Sequence, residues 1–474
     1  MNTMGLADSV RALRMRPLAM GLAAVCAASV TFAGNATARQ PDLRELASRF
    51  PQIMVPPAPT RPAAVVTNCD DSGAGSLRDA IMNAVDGDTV DLSGLSCSRI
   101  SLTTGAIIFG ANSLAIDGPG ENDLLIDGTL SGAVLYHLGS GTLIVNDLSI
   151  AYGFKYRSDN GVMGSCIHTQ GNALLTNVRV STCNTVSTAG YPALGGAIWA
   201  GGAVQMMNSE VSFSEAHATG YGYASGGGVY ALGGFVGLYS TVASNVALVE
   251  STSTPSFGGG VFARGASLLL GSTVSGNQAW RMGGAAFADN TGLSTAIVNS
   301  TVSGNFADTI GGVFGRGPLN IYNSTIAFNT SHTWTDGASH YFAAGVYITT
   351  QGNLDSSIIS NNINTAAPFD TADSTGASGA GWNGSNNNVM NCLLPCPTDT
   401  SHEDPGLHPL ADNGGVTLTH VPTPGQWDTF GGTNLLNLQW DQRGVGFPRQ
   451  SAGDWPEIGA LQINSDIILA NGFN

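Results

Sequence analysis

The sequence predicts an all-β fold: a single-stranded right-handed parallel β-helix, or solenoid, with a short N-terminal capping helix and a C-terminal capping block. Two blocks recurring in tandem predict it, together with the lack of helical spacing between them. The first block reads Gly195-Gly196-Ala197-Ile198-Trp199, Gly227-Gly228-Val229-Tyr230, Gly259-Gly260-Val261-Phe262, Gly283-Gly284-Ala285-Ala286-Phe287, Gly311-Gly312-Val313-Phe314 and Ala344-Gly345-Val346-Tyr347. Its second glycines are 32, 32, 24, 28 and 33 residues apart. The second block follows as Ser240–Asn245, Ser272–Asn277, Ser300–Asn305, Ser324–Asn329 and Ser356–Asn361, each Ser-Thr/Ser-Val/Ile-x-x-Asn.

In stacked coils, like positions form ladders. Ile198, Val229, Val261, Val313 and Val346 are expected to point inward. Trp199, Tyr230, Phe262, Phe287, Phe314 and Tyr347 then face outward or into a loop cover, because side chains alternate along a strand. The terminal Asn of each second block is expected at a corner in the left-handed conformation, its amide bonding the Asn above and below.

Residues 1–38 read as a signal peptide: Arg11, Arg14 and Arg16, an apolar run from Leu18 to Ala33, then Ala36-Thr37-Ala38. Its removal takes Asp8 and three arginines, moving the formal charge from −16 to −18. Lys155 is the one lysine, so no basic run can follow a phosphate backbone, and nucleic acid is excluded as a partner. No transmembrane segment is read after the signal, and the chain is expected to be an extracellular or cell-surface monomer.

Residues 39–68 are Pro-rich and read as a linker. Leu77, Ala80, Ile81 and Ala84 have helical spacing, and a helix there would cover the end of the coil stack over 69–365. Residues 366–402, rich in Ser, Gly and Asn, read as a loop; 403–474 form the capping block and tail. Six cysteines outside the signal suit an oxidising compartment. Local pairing is favoured: Cys69 with Cys97, Cys166 with Cys183, Cys392 with Cys396. No metal site is read from the cysteines. Asp70, Asp71, Asp86 and Asp88 cluster as oxygen ligands would for calcium, although turn and cap roles suit them better.

Gly75-Ser76-Leu77-Arg78-Asp79-Ala80-Ile81 followed by Gly87-Asp88-Thr89-Val90 resembles the amino-terminal cap of exported bacterial right-handed parallel β-helix proteins. The repeats are similar to those of polymorphic outer membrane proteins. Asp404-Pro405-Gly406-Leu407, Pro409 to His420, Asp441-Gln442-Arg443-Gly444 and Glu457-Ile458-Gly459-Ala460-Leu461 resemble the block that ends the choice-of-anchor Q group. The resemblance implies a secreted or surface β-helix without a settled activity. The tail Asp466 to Asn474 departs from that group's anchors.

Uneven repeat lengths place loops on one side, a position binding sites favour. Adhesion or surface interaction with a glycan or surface protein is the leading functional expectation. The alternative is a polysaccharide lyase or glycoside hydrolase on the same face. Substrate-binding candidates are Tyr221, Tyr223, Arg264, Trp280, Arg281, Arg316 and Trp334, since aromatic faces stack on sugars and Arg holds carboxylates. Acid–base candidates are Asp289, Asp308, Asp336, His332, His340 and Tyr341. No cofactor is expected. Arg264, Asp289 and Arg316 are read as one column.

Overall fold

The computed structural model describes residues 47–56, 63–158, 161–250, 254, 256–287, 293–332, 343–365, 374–377, 379–393, 395–423, 431–449 and 455–463. The proposed signal, all of 39–46, and the candidates Asp289, Trp334, Asp336, His340 and Tyr341 lie outside them. Residues 41–474 form one compact unit. Within it, a parallel β-helix is built from sheets of twenty-one, ten, eight and four strands. The eight-stranded sheet marks about eight complete turns, fewer than the nine that an average repeat length suggests.

Each coil repeats one path. A strand of the ten-stranded sheet, such as Val229–Ala231, leads into two strands of the long sheet, Phe235–Leu238 and Thr241–Ala243. The chain then enters the eight-stranded sheet at Val246–Val249 and returns through a loop and a strand of the four-stranded sheet, Ser256–Phe257. Pairing runs coil on coil, all parallel, as in Val229 opposite Val261 and Thr241 opposite Thr273. The inward aliphatic ladder is as expected: Ile198, Val229, Val261, Val313 and Val346 are fully buried.

The asparagine ladder is present and more constrained than the sequence suggests. Nδ2 of Asn245 donates to Oδ1 of Asn277 at 3.0 Å, and the chain continues through Asn305, Asn329 and Asn362 at 3.0, 2.9 and 2.8 Å. Each Oδ1 also accepts the backbone N–H of the Asn one coil earlier. The left-handed residue is the one before the Asn: Ser244, Gly276, Gly304, Phe328 and Asn361 all have φ between 56° and 65°. The last repeat is therefore shifted by one, with Asn362 rather than Asn361 in the ladder, because Thr325 pairs with Ile358. The glycine facing this ladder is sterically required: a Cβ on Gly260 would lie 3.0 Å from the Asn277 amide carbon.

A second ladder went unnoticed in sequence. Backbone N–H groups of Ser240, Ser272, Ser300 and Ser324 donate to the hydroxyl of the next coil's serine at 3.1 Å. The aromatic column also needs correction. Phe262 pairs with Ala286, and Ala286 with Phe314, so Ala286 interrupts the column and Phe287 falls in the neighbouring one. His168 extends the column at the other end, stacked between Tyr136 and Trp199 at centroid distances of 4.1 and 4.5 Å.

Three disulfides join Cys69 to Cys97, Cys166 to Cys183 and Cys392 to Cys396. Cys166 is in register with Ala197 and then Gly228, and Cys183 with Ser214 and then Asn245. The bond thus spans one coil where later coils place glycine against asparagine.

The helix Leu77–Asn83 starts at Ser76, whose hydroxyl accepts from Asp79 N, and buries Leu77 and Ile81 on the first coils. Asp71, set in the loop before it, accepts from Arg78 at 2.7 Å, Thr103 and the Thr104 N–H. Burial opposes its ionisation, but these donors prevail and hold its pKa down at about 2. Asp86 and Asp88 accept from backbone N–H groups of Ser113 and Val85. The four aspartates thus include three engaged in loops and turns, and among the described residues no group of acid, His or Cys side chains is arranged for a metal.

Described segments before and after the coils lie along the flank of the long sheet. Phe50 and Ile53, in the stretch read as linker, pack with Met207, Leu238, Leu270, Val298 and Leu438. The carboxy-terminal block covers the adjoining strip: Thr273 Oγ1 donates to Leu418 O, Thr301 Oγ1 to Gln442 Oε1, and Ala460 N to Thr325 Oγ1. No described helix is long and apolar enough to cross a membrane.

Candidate functional site

Outward positions of the eight-stranded sheet form a column that continues past its strands. Tyr156, Val186, His217 and Leu248 are in register. Pairing of Ala247 with Ala279, Ala279 with Ala307 and Ala307 with Ser331 then brings Trp280, Asp308 and His332 into line on three successive coils. Backbone bonds hold them: Asp308 N donates to Trp280 O at 3.2 Å and His332 N to Asp308 O at 3.0 Å. His332 Nδ1 shares a hydrogen bond with Thr365 Oγ1 at 2.8 Å. Three of the predicted site residues thus meet in one column.

The others are distributed. Tyr221 and Tyr223 project from the loop between the eight- and four-stranded sheets, Tyr221 being 83% exposed. Tyr191 occupies the same turn one coil earlier, where its carbonyl abuts Gly222. Arg281 is exposed beside Trp280. Arg264 and Arg316 are exposed at a different turn, where the ten-stranded sheet passes into the long one. Arg264 and Arg316 are in register, each following by one residue a position paired with Phe287; the column read for them also includes Asp289, which lies outside the described residues.

A broad, open cleft of about 1060 Å³ lies against the early coils, lined by residues that the repeat pattern does not single out. Tyr136, Lys155, Arg157, Met163 and His168 line it, with Ile108 and Phe154. Its origin lies in the repeat. Lys155 is in register with Thr185, Ala216, Ala247, Ala279 and Ala307, and Arg157 with Ser187, Ala218 and Val249. These are inward columns, and the later members are small and buried against the next layer. In the first coil of this sheet both positions are cations, two residues apart and on one side of the strand. The four-stranded sheet begins only at Val162, so the cover over the aromatic column is incomplete there and Tyr136 is left half-buried.

Lys155 Nζ stands 4.5 Å from the centroid of the Tyr136 ring and donates to Met163 O at 3.0 Å. Burial, reinforced by Arg157, lowers its pKa to about 8. Burial and then Lys155 lower the His168 pKa to about 4, so its ring is neutral and serves as a stacking element between Tyr136 and Trp199. Among the described lining residues there is no carboxylate, in a chain whose formal charge is −16. The signal that could have revealed this cleft is a charge alternating at inward positions, visible only once the register is known.

Comparison with models of known protein families finds no match, and comparison with curated proteins finds no relative. The kinship suggested by the motifs stays an expectation, and the parallel β-helix is what the structure establishes.

Proposed function

We propose that this protein is an exported, surface-acting β-helix that binds glycans through its loop face, in adhesion or surface interaction and without turnover. One observation carries the reading: Tyr156, Tyr191, Tyr221, Tyr223 and Trp280 are all exposed on the same side of the coil path. Exposed aromatic faces are costly to leave in water and suit stacking on sugar rings. Coils rise by about 4.8 Å, close to the length of one pyranose unit, so aromatics on neighbouring coils can meet successive sugars. Three disulfides are compatible with life outside the cell.

The test is retention of the mature protein on immobilised plant, bacterial and animal polysaccharides. Tyr221→Ala with Trp280→Ala is expected to weaken retention at least tenfold while leaving the melting temperature unchanged. Unaltered retention would sink the loop-face reading.

One arrangement favours a second reading, catalysis on the same face: Asp308 and His332 are adjacent in the column beside Trp280. A hydrolase needs two placed carboxylates. Release of reducing ends or unsaturated uronates, abolished by Asp308→Asn, would replace the adhesive reading with an enzymatic one.

A further inference from the structure

We infer that the outer corner between the long sheet and the eight-stranded sheet carries, on its early coils, a platform for a neutral β-1,4-linked polysaccharide, with Tyr152 and Phe213 under alternate sugars. The inference rests on the glycan reading for the class of ligand but not for the place. This corner lies at the other end of the eight-stranded sheet's strands from the loop that carries Tyr221.

The corner is the left-handed column that precedes the asparagine ladder, followed back to earlier coils. Tyr152 N donates to Ser181 O, Thr182 N to Ser212 O and Phe213 N to Ala243 O, just as Ser244 N donates to Ser275 O. Tyr152, Thr182 and Phe213 thus occupy one position on three successive coils, with φ of 58°, 55° and 52°. Later coils fill it with Ser244, Gly276, Gly304 and Asn361, which are small or polar. A bulky ring in left-handed backbone is an outlier kept against a steric cost, and such outliers gather at binding sites. The column holds one further ring, Phe328, and that ring is in use: His420 of the carboxy-terminal block lies 5.0 Å from it. Phe213 and Tyr152 have no such cover among the described residues and are 65% and 37% exposed.

The spacing selects the ligand. Two coils separate the rings, about 9.6 Å at about 4.8 Å per coil. An extended polypeptide turns like-facing side chains to a surface every 6.6 Å or so, twice the rise of about 3.3 Å, and cannot set successive anchors on both rings. In a β-1,4-linked chain each sugar is turned over relative to the last, so the same face recurs at every second sugar, close to the separation of the rings. Such a chain would run along the solenoid axis and stack on both. Thr182, on the coil between, is short enough to leave both rings clear, and its hydroxyl can meet the middle sugar. A formal charge of −16 favours a neutral polysaccharide over an acidic one.

Calorimetry with cellohexaose and chitohexaose, with α-linked maltohexaose as control, tests the platform. Both β-linked sugars, or one of them, are expected to bind, and maltohexaose at least tenfold more weakly. Cellotriose, which reaches both rings, should bind at least tenfold more tightly than cellobiose if cellohexaose binds, and chitotriose likewise over chitobiose if chitohexaose does. Tyr152→Gly with Phe213→Gly should weaken binding at least tenfold while the melting temperature stays level or rises, since glycine suits the left-handed backbone. Tyr152→Phe and Phe213→Tyr, which keep the rings, should retain it.

Full affinity in the double-glycine protein would overturn the inference, and a lowered melting temperature there would assign the rings to stability instead. Equal affinity for maltohexaose would overturn the β-1,4 assignment. Loss of binding confined to Tyr221→Ala with Trp280→Ala defeats this inference and leaves the loop-face reading standing; loss confined to the glycine variants does the reverse. Self-association in sedimentation that Phe213→Gly removes, with no response to either sugar, would give the corner to a second copy of the chain.

Discussion

Glu457 shows how much one buried group can bias this molecule. It lies within the carboxy-terminal block, 1% exposed, and burial raises its pKa to about 7, with Ile463 N–H and Arg449 opposing the rise only in part. Its folded pKa exceeds the unfolded value, so the folded state holds the proton more tightly. Stability therefore increases as pH falls from about 7 toward 4.5, and the ionised side chain is a burden above pH 7. Glu457→Gln is expected to raise the melting temperature at pH 8 and to leave it nearly unchanged at pH 5. The difference at pH 8 is worth up to about 3 kcal/mol, from the size of the shift. A melting curve at each pH checks it; a gain at pH 5 equal to that at pH 8 would contradict the assignment. Arg449 is wholly buried as well, and burial lowers its pKa to about 10; it stays charged while donating to Gly459 O and Ala460 O, each at 2.8 Å, and to Asn299.

At the scale of the element, the asparagine ladder is the feature whose loss should cost most. Asn277 donates to Val242 O and Asn305 Oδ1, and its own Oδ1 accepts both the backbone N–H and the amide of Asn245. Asn277→Ala would take one hydrogen bond from each of these four partners in a dry interior, Asn305 Oδ1 keeping the residue-277 N–H and Asn245 Nδ2 keeping Val211 O, at about 1–3 kcal/mol for each that stays unpaired. A total loss of roughly 4 kcal/mol is expected in chemical denaturation. An effect under about 1 kcal/mol would show that water replaces the amide. Much of this element was legible in sequence, because identical side chains at equal spacing imply a stack. The register of individual members was not. Asn361 and Asn362 are adjacent and chemically identical, and Ala286 and Phe287 both follow a glycine pair. Pairing across the coils, which a single strand's composition cannot supply, separates them.

For the whole molecule, the flank of the long sheet is the vulnerable surface. Met207, Leu238, Leu270 and Val298 point away from the solenoid core and are dry because Phe50, Ile53 and Leu438 lie on them. A chain ending after Ser401 keeps the pairing of Ser401 with Asn388 but loses Leu438, Gln442, Arg449 and the bonds they make to the coils. It is expected to bind a hydrophobic dye and to scatter light with increasing concentration, since an uncovered apolar sheet face seeks another surface. A truncated chain that stays monomeric and dye-silent would show that the block is dispensable to the coil stack.

By itself the sequence determined the parallel β-helix, its inward aliphatic ladder, the asparagine stack and the capping helix, and it favoured the local cysteine pairs without fixing them among the fifteen pairings that six cysteines allow. Each of these depends on spacing and residue type along the chain, which repetition makes visible. Only the tertiary structure decided which candidates meet. It aligned Trp280, Asp308 and His332, separated them from the turn that carries Arg264 and Arg316, laid Phe50, Ile53 and the carboxy-terminal block on the flank, and opened a cleft at Lys155. The physical reason is that neighbours in a solenoid are a coil apart. Loop lengths that vary from coil to coil conceal which residues share a column until backbone pairing sets the register.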